Sequence, residues 1–166
     1  MRLLDILLVD DDNNDCALLG IAADRTDLNI HLQTVTNGQQ AIDYLEGRGA
    51  YADRSRYPLP ELLVMDLDMR LTGGLDFLNW RRASASFACL PVVIFSEFTY
   101  QGTIERALAM GASTFVEKPL EPAGWEAVVR QIWAFAKAGN YNAIYAIELA
   151  FYGQHLDGTN DKLPSI

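Results

Sequence analysis

Short apolar runs recur along most of the chain: Ile6 to Val9, Ile30 to Val35, Leu62 to Met65, Val92 to Phe95 and Thr114 to Val116. Four are nearly continuous, as expected of parallel strands covered on both faces. Ile30 to Val35 instead alternates like a more exposed strand. Helical spacing fills the intervals. Cys16, Leu19 and Ala23 share one face of a helix predicted over Asn14 to Asp24, and further helices are predicted over Gln39 to Leu45, Leu75 to Arg82 and Gly102 to Met110. A fifth follows Pro122, a residue suited to a helix start, and continues to Lys137 or so. Gly47 to Pro60 reads as a longer surface loop with room for a short helical turn. Strict strand-helix alternation implies right-handed crossovers and a doubly wound parallel sheet, an α/β fold. Its chemistry is expected in the loops that follow the carboxyl ends of the strands.

Those loops are rich in carboxylates. Asp10, Asp11 and Asp12 follow the first strand; Asp66 follows the third, with Asp68 two residues on. In a doubly wound sheet both groups reach one edge, where their mutual repulsion calls for a hard, oxygen-seeking cation such as magnesium. Asp12 and Asp68 also suit plainer tasks, a helix cap and a turn. Ser96 ends the fourth strand, and Lys118, followed by Pro119, ends the fifth. A hydroxyl and an ammonium beside carboxylates and a cation are what a phosphoryl group needs around its oxygens.

Composition narrows the function. A chain of 166 residues, half of them hydrophobic, can bury one substantial core without disulfides, and it contains no repeat, low-complexity tract or interdomain linker. Its net charge of −9 opposes nucleic-acid binding. Cys16 and Cys89 form no CxxC pair and read as small core residues in a reducing compartment. Without a signal-like start or an 18-residue apolar segment, the chain is expected to be cytoplasmic, with no membrane partner. Neither imidazole, His31 or His155, lies beside a candidate nucleophile, so both are expected at the surface.

The segments "ILLVDDD" (6 to 12), "LLVMDLDMRLTGGLDFL" (62 to 78), "PVVIFSE" (91 to 97) and "GASTFVEKPLE" (111 to 121) resemble the response-regulator receiver family over residues 3 to about 138. The loop ending "GAYADRSRYPLPELLVMD" is most similar to stand-alone regulators associated with phytochrome-type histidine kinases. The resemblance implies a flavodoxin-like five-stranded sheet of order 2-1-3-4-5 with helices on both faces. It also implies a phosphoacceptor at Asp66, served by Ser96 and Lys118. Magnesium would be held by Asp10, Asp11 and Asp66 with the backbone carbonyl of Asp68. Phe115 falls at the family's rotamer switch, though an ordinary core phenylalanine fits equally well. Lys118–Pro119 corresponds to the family's cis peptide. Two departures bear on loop stiffness and charge: Arg70 stands where proline is usual, and Gly73 precedes Gly74 where an acidic residue is common.

The implied protein is a single-domain response regulator that accepts phosphate from a sensor histidine kinase or a histidine phosphotransfer protein and catalyses nothing beyond its own phosphotransfer and dephosphorylation. Two other readings compete. One is a phosphorylation-independent pseudo-receiver that only binds proteins. The other is a haloacid-dehalogenase-type phosphatase, suggested by the DxD in "LLVMDLDMR" but lacking a later acidic pair. Residues 1–139 are expected to form the receiver and 140–166 an extension, a short helix followed by a flexible tail too brief for an effector domain. On the fifth helix Trp125, Val128, Val129, Ile132 and Ala136 make an apolar stripe that Trp133 and Phe135 widen to roughly 160°. Ile144, Ile147 and Phe151 continue helical spacing in the extension. Together they predict packing of Tyr141 to Tyr152 on the domain or across a homodimer formed by the fourth and fifth helices.

Overall fold

Five runs of β-branched and leucine residues form one parallel sheet, with strands β1 (Leu4–Val9), β2 (Ile30–Val35), β3 (Leu62–Met65), β4 (Val92–Ser96) and β5 (Thr114–Glu117) in the order β2-β1-β3-β4-β5. The computed structural model describes residues 3–71, 73–97 and 101–139. The expected 2-1-3-4-5 order is therefore present. Helices α1 (Asn13–Arg25) and α5 (Gly124–Ala138) cover one face of the sheet; α2 (Gly38–Glu46), α3 (Gly74–Ala83) and α4 (Gln101–Ala109) cover the other.

Alternation along each strand supplies the two cores. Leu7, Val9, Leu63, Met65 and Ile94 face Tyr44, Phe77 and Ala107, while Ile6, Leu8, Leu62, Val64 and Phe95 face Leu19, Trp125 and Ile132. Central strands buried on both sides explain the unbroken apolar runs. The outer strand β2 is half-buried from Ile30 to Gln33, in keeping with its more polar sequence, and His31 there pairs with Asp5 at 2.6 Å.

Several expectations change. The buried face of α1 carries Asp15, Leu19 and Ala22 rather than Cys16, Leu19 and Ala23, a turn of about one residue. An acidic residue can occupy that face because a lysine ammonium meets it there. Cys89 is exposed and Cys16 only half-buried, so neither is a full core residue. The Lys118–Pro119 peptide is trans, not cis; trans is the lower-energy form even before proline. On α5, Phe135 is buried and Ala136 and Trp133 are only partly covered.

The stretch after α2 is more organised than a plain surface loop. A 3-10 turn over Gly49–Tyr51 follows Gly47, which closes α2 at φ 67°. Arg54 then donates to the Tyr44 and Leu45 carbonyls at 2.8 and 2.7 Å, satisfying helix-end acceptors, and Tyr44, Tyr51 and Tyr57 pack edge to face or tilted. The expected extension over 140–166, including Tyr141 to Tyr152 and His155, lies outside the described residues.

Candidate functional site

The sheet's register fixes the site. Val9 lies opposite Met65, so Asp10 and Asp66 emerge side by side from β1 and β3, and each still spends its backbone N–H on a neighbouring strand: Asp10 to Val35 at 3.0 Å, Asp66 to Val9 at 2.9 Å. On the next two strands, β4 and β5, Ser96 lies opposite Glu117, and the Lys118 N–H reaches the Ser96 carbonyl at 3.1 Å. Two carboxylates, a hydroxyl and an ammonium thus stand at one edge, all nearly inaccessible: Asp10 is 0% exposed, Asp66 7%, Ser96 4% and Lys118 4%.

Lys118 organises this cluster. Its Nζ donates to Asp15 Oδ2 at 2.8 Å and to Asp66 Oδ2 at 2.9 Å, and it lies 2.8 Å from Asp10 Oδ2. That third contact is as short as the other two and gives the buried Asp10 Oδ2 a charge-assisted partner. Burial works against the ammonium, but the surrounding carboxylates outweigh it and push its pKa above the ordinary lysine value. For Asp10 burial wins: its carboxyl is raised above the ordinary range, and Lys118 pulls it back only in part.

Other contacts aim the individual acids. Asp10 Oδ1 accepts the Asp12 N–H at 2.9 Å, and Asp66 Oδ1 accepts the Asp68 N–H at 3.1 Å, so both carboxylates are aimed by the turns that follow them. Asp12 caps α1 by accepting from Asn14 N–H at 2.7 Å, the plainer of its expected tasks. The Asp68 side chain is exposed. Asp11 accepts from both the backbone N–H and the Nε of Arg70, and that guanidinium holds its carboxyl below the usual range. Gly74, at the start of α3, packs closely on the site, since a β-carbon there would lie 2.7 Å from the Asp66 carbonyl oxygen; one on Gly73 would meet nothing nearer than 3.8 Å, so packing does not explain the missing acidic residue there.

Among the described residues no three acidic, histidine or cysteine side chains stand as a ready metal cage. Lys118 and Arg70 hold the carboxylates instead. The donor set nevertheless fits a hard divalent cation: every anionic donor is a carboxylate oxygen, and those of Asp10 and Asp66 already converge on one cation, Lys118 Nζ, at 2.8 and 2.9 Å. Phe115 is 8% exposed, its ring turned into the core on the α2, α3 and α4 side. The structure therefore brings Asp10, Asp66 and Lys118 into contact, places Ser96 at the neighbouring strand end, and keeps Asp11 with Arg70.

Asp15 is the residue that sequence reasoning missed. It lies five positions after Asp10, and its spacing to Leu19 and Ala22 marks it as part of the buried helical face.

Residues 6–130 match the response regulator receiver domain family. The chain belongs to that family. Receiver domains are signalling domains that normally interact with histidine kinases or phosphotransfer proteins, and the dehalogenase-type phosphatase reading is left without support. The chain is 29% identical to response regulator Rre1 of Synechocystis over 82% of its own length and 54% of that protein's, so it spans about half of that relative. Among solved structures it is similar to the response regulator RPA3017 in red light signaling of R. palustris, with 27% identity, a TM-score of 0.75 and coverage of 80% and 93% of the two chains. It is also similar to the bacteriophytochrome response regulator RtBRR, with 29% identity, a TM-score of 0.65 and coverage of 78% and 77%. This likeness agrees with the one carried by the loop before β3. No described helix is long and apolar enough to cross a membrane.

Proposed function

We propose that this receiver is the phosphoacceptor of a two-component system or phosphorelay, taking a phosphoryl group onto Asp66 from a histidine kinase or a histidine phosphotransfer protein. The observation that carries the reading is the buried Lys118 ammonium, 2.9 Å from Asp66 and 2.8 Å from Asp10 at the carboxyl edge of the sheet. A carboxylate oxygen of Asp66 attacks phosphorus, the bond from phosphorus to the donor's imidazole nitrogen breaks, and an acyl phosphate forms. Lys118 and the Ser96 hydroxyl face the transferred oxygens and offset their charge.

Magnesium would be held by the carboxylates of Asp10, Asp11 and Asp66 and the backbone carbonyl of Asp68; bound there, it offsets repulsion between those acids and the incoming phosphoryl group. Asp11 would reach it by leaving Arg70. Movement of Ser96 toward the phosphoryl group, with Phe115 repacking, turns the modification into a change of surface. The receiver acts in the cytoplasm through a protein partner or through homodimerisation of the α4 and α5 face, where Trp133 is only partly covered. Likeness to regulators of red-light and bacteriophytochrome signalling favours a phytochrome-type kinase as the phosphate source.

Labelling with a small phosphodonor in the presence of magnesium tests the reading. Wild type is expected to gain acid-labile, hydroxylamine-sensitive phosphate that excess chelator prevents and that Asp66→Asn lacks. An unlabelled wild type would favour a phosphorylation-independent binding module. Undiminished label on Asp66→Asn would reject Asp66 as the acceptor.

A further inference from the structure

We propose that Asp15 is a positioning residue for phosphotransfer, holding the Lys118 ammonium at the acceptor while the other two anions around it change. Lys118 Nζ is shared among Asp15, Asp66 and Asp10. Two of these three are altered in the reaction. One oxygen of Asp66 becomes the bridging oxygen of the acyl phosphate and loses most of its charge, and Asp10 is among the residues that would hold the divalent cation. Asp15 alone keeps its charge and its geometry. It sits on the first turn of α1, behind the Asp12 cap, and that helix is fixed to the sheet by Leu19 and Ala22. A lysine ammonium is a point charge on a flexible stem with three rotatable donors, so its direction must come from its partners. Asp15 supplies a directed one, at 2.8 Å, from a helix rather than from a strand end.

The role rests on Asp66 being the acceptor, and it differs from that of a merely structural buried ion pair, which would affect stability but leave labelling and the ammonium's environment in the modified state unchanged. The full chain is compared as wild type, Asp15→Asn and Asp15→Glu. Phosphate incorporation is measured at saturating magnesium, and the Lys118 Nζ–H signal is followed by nitrogen-15 NMR with and without beryllofluoride as a phosphoryl mimic. We expect a protected Lys118 signal in wild type in both states. In folded Asp15→Asn we expect that signal to be lost in the beryllofluoride complex and labelling to slow by about tenfold or more, with part of both recovered in Asp15→Glu. A folded Asp15→Asn labelled at the wild-type rate with its Lys118 signal kept would overturn the role of Asp15 alone. Should Asp15→Asn fail to fold, Asp15→Glu decides: a slower rate with a shifted signal supports the role, and wild-type behaviour overturns it. A wild type that takes no phosphate would instead overturn the acceptor reading, and this role with it.

Discussion

Arg70 meets Asp11 through two donors on one oxygen, its backbone N–H at 3.2 Å and its Nε at 3.1 Å from Oδ2. Where receivers usually carry proline, this chain carries an internal cation that engages one of the proposed magnesium ligands. The Arg70 side chain is 87% exposed, so the pair is screened by solvent and salt. Arg70→Ala is expected to tighten magnesium binding on the order of threefold in low salt, with the gain shrinking as salt rises. Titration calorimetry of the unphosphorylated protein measures this, and unchanged or weaker binding would show that Arg70 does not compete.

Gly74 packs where no larger residue fits. A β-carbon would come within 2.7 Å of the Asp66 carbonyl oxygen and 2.8 Å of Leu67 Cδ2, and the backbone contact cannot be relieved by a rotamer change. Gly74→Ala is expected to cost roughly 1–3 kcal/mol through overpacking and, by displacing the peptide of the proposed acceptor, to slow labelling of Asp66. Thermal unfolding and labelling rate should fall together; a variant as stable and as quickly labelled as wild type would contradict the contact.

Lys118 has a folded-state pKa above its unfolded one, so the stability it contributes is fully present below the ordinary lysine value and is lost only as pH rises through the folded value. At neutral pH the whole contribution is therefore in place. Lys118→Ala leaves Asp10, Asp15 and Asp66 without their shared cation and is expected to cost about 3–5 kcal/mol at pH 7. Added magnesium should restore more stability to the variant than to wild type, because it neutralises the same acids. Equal magnesium effects in denaturant unfolding of the two proteins would argue against a shared charge site.

Cys16 and Cys89 should react very differently. Burial, with Asp10 next in effect, pushes the Cys16 thiol up to about 11, and its sulfur lies 3.7 Å from the Asp10 carbonyl oxygen, whereas Cys89 is exposed. The thiolate is the reactive form, so at pH 8 Cys16 is roughly one part in a thousand ionised. Native protein is expected to release one equivalent of chromophore from a disulfide reagent at pH 8, mapped by mass spectrometry to Cys89, and two after denaturation. Rapid modification of Cys16 in the native state would show that the α1 face opens readily.

The amino-acid order by itself determined the sheet and the edge at which its acids gather. Short uninterrupted apolar runs such as Leu62–Met65, alternating with helical patterns, read as strands covered on both faces, and acids that directly follow such strands emerge at their carboxyl ends. Asp10, Asp66, Ser96 and Lys118 were legible for that reason, since strand-end positions are set by local pattern and by sheet register. What tertiary structure alone decided is which charge meets which. An amphipathic helix specifies its inward face only to about one residue when Cys, Asp and Ala flank the same leucine, and the Lys118 ammonium, 103 residues away in sequence, resolved the choice in favour of Asp15. The capture of Asp11 by Arg70 spans 59 residues and the close approach of Gly74 to Asp66 depends on how α3 docks. These are long-range contacts between side chains or backbones whose partners no local periodicity names, because periodicity reports which face is buried and not what waits on the other side.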